Sequence, residues 1–110
     1  SDLMRLFGEK YKKNKVIFNE GDNDQRLFFI IEGEISITKK GKQVGSIGAG
    51  EYFGELSLFN KIPRIAKAEV ISDWARVIIV SDTQMRKILA EDHKVSMYFL
   101  SNMARKLQLK

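Results

Sequence analysis

A short segment in the middle of the chain combines Gly50, Gly54, Glu55 and Arg64. Glycine lets backbone N–H groups approach a ligand closely because no side chain stands in the way. A short helix beginning near Glu55 would direct unpaired N–H groups and the positive end of its dipole at the same point. Arg64 adds a planar cation that suits two phosphate oxygens. The segment therefore predicts a pocket for one small anion.

Glu55 is the unexpected member of this group, because a carboxylate repels a bound anion. Its presence is explained if the same ligand offers it a hydroxyl, as a ribose does. A sugar phosphate is therefore the ligand that these residue types predict. The alternatives are that Glu55 only complements the positive end of a helix, and that Arg64 is an ordinary surface arginine after the turn at Pro63.

The same segment resembles the phosphate-binding cassette of cyclic nucleotide-binding domains. The resemblance rests on motifs in matching order and spacing, and it extends from about Leu3 to Leu107, nearly the whole chain. The motifs are Phe53-Gly54-Glu55-Leu56 and Pro63-Arg64-x-Ala66 in the cassette, with Glu20-Gly21-Asp22, Leu27-Phe28-Phe29-Ile30-Ile31 and Glu32-Gly33-Glu34 upstream. The resemblance implies a mainly β fold, an eight-stranded jelly-roll barrel with flanking helices, and a regulatory module that senses a ligand.

The resemblance also implies a role for each residue of the cassette, about residues 50–66. Glu55 would accept a hydrogen bond from the ribose 2′-hydroxyl, Arg64 would bind the cyclic phosphate, and backbone amides would complete the cradle. The implied ligand is cAMP rather than cGMP, because Ile65 stands where a threonine hydroxyl is associated with cGMP preference. The implied ligand-binding residues are Gly54, Glu55, Leu56, Ser57, Arg64, Ile65 and Ala66.

Two further features of the chain depart from the family pattern. Relatives often carry an acidic residue near position 25 that supports the arginine, whereas Gln25 is neutral here and Asp24 stands beside it. The family's C-terminal helix usually folds over the base as a lid, and the chain ends about five turns after Asp92, so we expect a shortened or missing lid. The resemblance implies an effector domain or subunit outside this segment as partner, and it leaves open a homodimer through the C-terminal helix.

Length and composition are those of one soluble domain, residues 1–110. The chain is 44% hydrophobic and 30% charged, and it has no cysteine, which excludes disulfides and thiol chemistry. No run is long enough for a membrane span and no signal-peptide pattern opens the chain, so we expect a cytoplasmic protein without direct membrane contact.

The net charge of +5 is spread over separate lysine clusters without a nucleic-acid-binding motif. Nucleic acid is therefore expected only through a separate domain.

Short apolar runs separated by turn signals predict a sandwich or barrel of strands. Lys40-Gly41 predicts a hairpin turn, and Trp74 is placed in a loop before the last strand. The predicted strands are residues 16–18, 27–31, 35–38, 43–47, 68–71 and 75–80.

The apolar period becomes that of helices in the last third of the chain, about residues 82–110. Ser81 and Gln84 are spaced as a capping box, and Asp92 predicts the cap of a second helix. A short helix is also predicted over residues 3–7, before Gly8. The first C-terminal helix is expected to bury Met85, Ile88 and Leu89 on one face, and the second has apolar positions at Val95, Phe99, Leu100, Met103 and Leu107. We expect about half of the patch that includes Met97 and Tyr98 to pack on the barrel, and the rest to face a partner or an adjoining helix.

No group of residues predicts catalysis, so the chain is not expected to be an enzyme. His93 is the only histidine, and one histidine cannot build a multi-histidine metal site. The alternative to a nucleotide sensor is a domain that keeps the fold, binds no nucleotide and serves as a protein interaction module. A third hypothesis is a basic nucleic-acid-binding regulator whose DNA-binding domain lies outside this segment.

Overall fold

In the described part of the chain, eight strands form two antiparallel four-stranded sheets. The computed structural model describes residues 8–108, so the helix predicted over residues 3–7 lies outside the described residues. The strands are β1 Glu9–Lys12, β2 Val16–Phe18, β3 Leu27–Glu32, β4 Glu34–Lys39, β5 Lys42–Gly48, β6 Tyr52–Phe53, β7 Lys67–Val70 and β8 Trp74–Val80. One sheet has the order β1-β8-β3-β6 and the other β2-β7-β4-β5. The predicted mainly β jelly roll is confirmed.

Three helices accompany the strands in the described part of the chain: α1 Glu55–Asn60, α2 Asp82–Glu91 and α3 His93–Gln108. The predicted capping box of α2 is present, since the Ser81 side chain accepts from the Gln84 N–H and the Gln84 side chain accepts from the Ser81 N–H. Asp92 Oδ1 accepts from the N–H groups of Lys94 and Val95 at the start of α3. None of these helices is long and apolar enough to cross a membrane.

The core consists of two clusters of buried residues. The first lies between the sheets, where the Phe28 and Phe53 rings stack with centroids 4.9 Å apart and Phe18 packs against both. The second joins the helices to the first sheet and contains Leu27, Tyr52, Leu58, Val80, Met85 and Phe99. Because Leu58 belongs to α1 and Phe99 to α3, this second cluster connects the cassette to the C-terminal helix.

Two turns that the sequence marks with glycine have the backbone that glycine favours. Lys40 and Gly41 both have positive φ, 51° and 76°, which is the pattern of the two-residue hairpin turn that twists with its strands. Gly33, between β3 and β4, has φ 97°, and a Cβ there would lie 2.7 Å from the backbone of Ala75. Gly33 is therefore required for the close approach of β8 to this turn.

Two strands were not predicted, and Trp74 is the first residue of β8 rather than part of a loop. β1 carries lysines and shows no alternating apolar pattern, so its sequence resembles a solvated surface segment. It forms because Glu9 to Lys12 pair in register with Val77 to Trp74 of β8. β6 has only two residues, Tyr52 and Phe53, which pair with Phe29 and Phe28.

The helical apolar positions are less buried than their spacing predicts. On α2, Met85 is buried and Leu89 packs against the same cluster, but Ile88 is exposed. On α3, Phe99 is buried and Val95 packs beside it. The other apolar residues of α3 are exposed, namely Met97, Tyr98, Leu100, Met103 and Leu107. More than half of the apolar patch on α3 thus lies outside the core of the described structure.

Candidate functional site

One cavity of about 190 Å³ brings together all seven residues that the sequence implicates in ligand binding. One wall is formed by the start of α1 and by the loop of Arg64 to Ala66. The opposite wall comes from the hairpin of β4 and β5. The cavity is lined by Gly54, Glu55, Leu56, Ser57, Arg64, Ile65 and Ala66 on the first wall, and by Phe18, Ile37, Lys39, Val44 and Ile47 elsewhere.

The helix α1 begins at Glu55, as predicted, and Gly54 is its N-cap. Gly54 has φ 90° and provides no side-chain cap, so the N–H groups of the first turn have no side-chain cap of their own. A Cβ at position 54 would lie 2.7 Å from the Arg26 carbonyl oxygen and 2.8 Å from Arg64 Nη1. Glycine is therefore required both for the backbone angle and for the space that Arg64 occupies.

The guanidinium of Arg64 is buried, with only 3% of the residue exposed. Its Nη1 donates to the Gly54 carbonyl oxygen at 3.0 Å, and its Nη2 donates to the Arg26 carbonyl oxygen at 2.6 Å. The cation also lies 4.0 Å from the centroid of the Phe18 ring, a favourable arrangement. Arg64 Nε is buried without a hydrogen-bond partner among the described residues. Arg64 is thus not an ordinary surface arginine, and its Nε–H donor is unused.

Asp24 provides the acidic support for Arg64. Its Oδ1 lies 3.3 Å from Arg64 Nη2, and both its oxygens accept from the Arg26 side chain at 3.0 Å. Burial by itself raises the pKa of Asp24, but hydrogen bonds from Arg26 and the charge of Arg64 outweigh it, so this pKa lies below its usual value. Burial lowers the pKa of Arg64 and Asp24 opposes this; an arginine nevertheless stays protonated. The neutral Gln25 is therefore compensated by its neighbour.

The Glu20-Gly21-Asp22 motif holds the backbone of Arg64 from the other side. The Gly21 N–H donates to the Arg64 carbonyl oxygen at 2.7 Å, and the Arg64 N–H donates to the Asp22 carbonyl oxygen at 2.9 Å. Glu20 Oε1 also accepts from the Lys40 N–H in the hairpin turn. This motif therefore ties the two walls of the cavity together.

Glu55 lines the cavity and also faces the C-terminal helix. Its Oε1 lies 3.7 Å from Lys106 Nζ of α3. Its Oε2 is buried and has no hydrogen-bond partner among residues 8–108. A buried carboxylate oxygen without a donor is costly, and a hydrogen-bond donor placed beside it would remove that cost.

The family model of the cyclic nucleotide-binding domain matches residues 8–92, which include the whole cavity. The chain belongs to the cyclic nucleotide-binding domain family. It is 34% identical over 87 residues to a cAMP-dependent protein kinase regulatory subunit of Mycosarcoma maydis, a match that covers 74% of this chain and 16% of the subunit. The chain thus spans about a sixth of the length of this relative.

Solved structures of the same fold include an activator protein and an enzyme. The Thermus thermophilus catabolite activator protein is similar with a TM-score of 0.80 and 25% identity, covering 97% of this domain and 53% of that chain. The EAL enzyme Bd1971 is 26% identical, with TM-scores of 0.68 in its cAMP-bound form and 0.70 in its cGMP-bound form. Each match covers 91% of this domain and 28% of that chain.

Six residues of this cyclic nucleotide-binding domain that line or support the cavity were not predicted from the sequence, namely Phe18, Arg26, Ile37, Lys39, Val44 and Ile47. Phe18 lies under the Arg64 cation, Arg26 accepts from Arg64 through its carbonyl and holds Asp24, and Lys39 lines the hairpin wall. Only the closeness of Asp24 to Arg26 was a usable signal, because opposite charges two residues apart often pair in a loop. Phe18 and Lys39 are brought to the cavity by the pairing of their strands, and no local sequence motif predicts that pairing.

The domain also contains a direct contact between the cassette and the C-terminal helix. The Phe59 and Phe99 rings lie 6.0 Å apart edge to face, and Tyr52 packs against Phe99 at 5.0 Å. Burial first, and then the negative charges of Glu55 and Tyr98, raise the pKa of Tyr52.

His93 is exposed at the first position of α3. No cluster of metal-binding residues occurs in residues 8–108.

The pKa of Asp24 gives the first testable prediction. The pKa of Asp24 is lowered in the folded state, so its ionised carboxylate stabilises the fold at pH values above its unfolded-state pKa of about 3.9. This contribution is lost as the pH falls through the folded-state pKa. Asp24→Asn should therefore lower the free energy of unfolding at pH 7 by about 1 kcal/mol, since asparagine keeps an acceptor but no charge. Urea unfolding at pH 7 and pH 3 measures the difference.

The difference between the wild type and Asp24→Asn should become smaller below about pH 4. Asp73→Asn, at an exposed position, is the control and should behave like the wild type at both pH values. A difference of the same size at pH 7 and pH 3 would contradict the charge-based role of Asp24.

Proposed function

We propose that this domain binds a cyclic nucleotide, with cAMP as its preferred ligand, and acts as a regulatory sensor rather than as an enzyme. The observation that carries the proposal is the single cavity lined by all seven residues of the implied site, from Gly54 to Ala66. Similar proteins support it, because Bd1971 has been solved in cAMP-bound and cGMP-bound forms.

Each part of a cyclic nucleotide has a matching group in the cavity. The phosphate takes the N–H groups of the first turn of α1 and the unused Nε donor of Arg64. The ribose 2′-hydroxyl donates to Glu55 Oε2. The base lies against the apolar side chains of Ile37, Val44 and Ile47 on the hairpin.

The preference for cAMP rests on Ile65. Its side chain lines the cavity and is 44% exposed, so it meets a ligand but offers no hydrogen-bond acceptor or donor. The guanine amino group would then be left without a partner at this position, which is unfavourable once water is excluded. cGMP is therefore the weaker ligand in our proposal.

The alternative function, a domain that keeps the fold without binding nucleotide, explains less of the site. It accounts for the hydrogen bonds of Arg64 to Gly54 and Arg26, which hold the fold in any case. It gives no reason why two polar atoms of cavity residues, Arg64 Nε and Glu55 Oε2, are buried without a hydrogen-bond partner among residues 8–108. Calorimetric titration with cAMP and cGMP decides between the two functions, because the alternative requires that neither ligand gives a saturable heat.

Arg64→Lys should reduce cAMP affinity by about 10- to 100-fold. Lysine keeps the charge but loses the planar set of donors, and a hydrogen bond to a charged group contributes about 1.5–3 kcal/mol. Lysine is a better test than alanine, because Arg64 is buried and its truncation would also remove the packing on Phe18. The measurement is calorimetry, with thermal unfolding of the same samples to verify that they are folded.

The matched control for this variant is Arg86→Lys, which changes an exposed arginine of α2 that pairs with Asp82. Its cAMP affinity should equal that of the wild type. Equal affinities for wild type and folded Arg64→Lys at the same salt concentration would remove Arg64 from the site.

Glu55→Gln should weaken cAMP more than it weakens 2′-deoxy-cAMP. The proposed partner of the carboxylate is the 2′-hydroxyl, which the deoxy nucleotide lacks. We expect a loss of about tenfold for cAMP, in line with a hydrogen bond to a charged acceptor, and a loss below threefold for the deoxy nucleotide. Equal losses for the two ligands would show that Glu55 only stabilises the start of α1.

We further propose that binding is relayed to α3 and so to an effector domain or subunit outside this segment. A ligand shifts an equilibrium only if it binds two arrangements with different affinity. Leu58 and Phe59 lie in α1 after its phosphate-binding first turn, and they pack in the cluster of Phe99. Movement of α1 toward the phosphate would therefore change the surface on which α3 packs. A cytoplasmic location, a homodimer through α3, and nucleic acid contacted only through another domain belong to the same proposal.

Amide exchange measures this relay. With saturating cAMP, exchange across residues 95–107 should change in the wild type, and Phe59→Ala should reduce that change while cAMP affinity stays within a few-fold. Phe59 is half-buried, whereas Leu58 is fully buried and its truncation would cost about 2–5 kcal/mol of stability. Ile88→Ala on the exposed face of α2 is the control. Unchanged exchange in the wild type would mean a binding domain without a switch.

A further inference from the structure

Lys106 lies in the last turn of α3 and reaches the residue to which we assign the ribose. Its Nζ lies 3.7 Å from Glu55 Oε1 and 5.2 Å from the centroid of the Tyr52 ring. A cation over an aromatic face is attracted to it, so Lys106 has two partners on the cassette side. The contact bridges a groove between α1 and α3 that is lined by apolar side chains such as Leu56, Leu100 and Met103.

The two oxygens of Glu55 have different surroundings. Oε1 faces Lys106, while Oε2 is buried and without a partner in the described part of the chain. Glu55 lines both the nucleotide cavity and the α1–α3 groove. The Glu55 carboxylate thus lies between the nucleotide cavity and the α1–α3 groove, and its Oε1 faces Lys106 of α3.

We propose that Lys106 is a positioning residue for the ligand ribose: it holds Oε1 of Glu55 and thereby keeps Oε2 directed at the 2′-hydroxyl. This inference rests on the proposed function and specifies how α3 takes part in it. The lysine does not touch the ligand. It fixes the rotamer of the carboxylate that does, and so contributes to the selection of ribose over deoxyribose.

The same contact makes the position of α3 depend on the ligand. A carboxylate held by a ribose hydroxyl is more ordered and is a better partner for Lys106. In turn, a carboxylate held by Lys106 is a better acceptor for the ribose hydroxyl. Coupling between two such events is reciprocal by thermodynamic linkage. The ion pair is partly exposed, with 57% of the Lys106 side chain accessible, so its effect is modest and decreases with salt.

The test compares cAMP and 2′-deoxy-cAMP in calorimetric titrations of the wild type, Lys106→Gln, Lys106→Arg and Lys94→Gln. Lys94 is an exposed lysine at the start of the same helix, so Lys94→Gln matches the change of charge. At about 0.05 M salt, Lys106→Gln should weaken cAMP by about two- to fivefold, the range expected for a partly exposed pair. Its affinity for the deoxy nucleotide should change by less than about 1.5-fold, and Lys94→Gln should leave the ratio of the two affinities unchanged.

Lys106→Arg should restore most of the wild-type ratio, because it keeps a cation within reach of Oε1. An equal loss for both ligands in Lys106→Gln would show long-range charge attraction alone and would overturn the inference. An unchanged ratio in Lys106→Gln would also overturn it, while wild-type binding of cAMP would leave the proposed function standing. Absence of cAMP binding by the wild type would overturn both.

Discussion

The buried guanidinium of Arg64 is the interaction on which the rest of the site depends. It joins the N-cap of α1 to the residue before β3 through two backbone carbonyls, and it packs on the ring of Phe18 from β2. Removing a charge from water is costly unless partners replace the solvent. Asp24 and the two carbonyls are those partners, so the cation stabilises the fold and lines the cavity at once.

This double use explains how the surrounding segments are arranged. Arg26 holds Asp24 in place with both its backbone and its side chain, and the turn at Gly21 and Asp22 fixes the backbone of Arg64. These supports come from a part of the chain about forty residues upstream of Arg64, as its hydrogen bond to Arg26 illustrates. The wall of the cavity around Arg64 is therefore held by hydrogen bonds to both the backbone and the side chain of this residue.

Sequence predicted the parts of the molecule that local chemistry determines. The start of α1 at Glu55 and the turn at Lys40-Gly41 follow from glycine, and the capping box at Ser81 follows from side-chain spacing. β1 was missed because its residues are charged and it forms only by pairing with β8. The burial of Arg64 could not be predicted either, since its partners are brought to it by the fold.

The helical end of the molecule shows a second limit of sequence patterns. Apolar spacing on α3 predicts a face but not what covers it, so Phe99 is buried while Leu100 and Leu107 are exposed. Likewise, the pairing of Lys106 with Glu55 joins residues far apart in sequence and leaves no motif. Contacts between residues of different helices and strands can therefore be identified only from the three-dimensional structure.

The two walls of the cavity differ in how freely they can vary. On the cassette wall, Gly54 has no room for a methyl group beside Arg64. On the hairpin wall, Lys39 and Val44 are exposed strand residues, with 62% of Val44 accessible, and exposed positions tolerate substitution with little loss of stability. Substitutions in the hairpin, in evolution or by design, can therefore change the shape of the cavity while the wall around Arg64 stays the same.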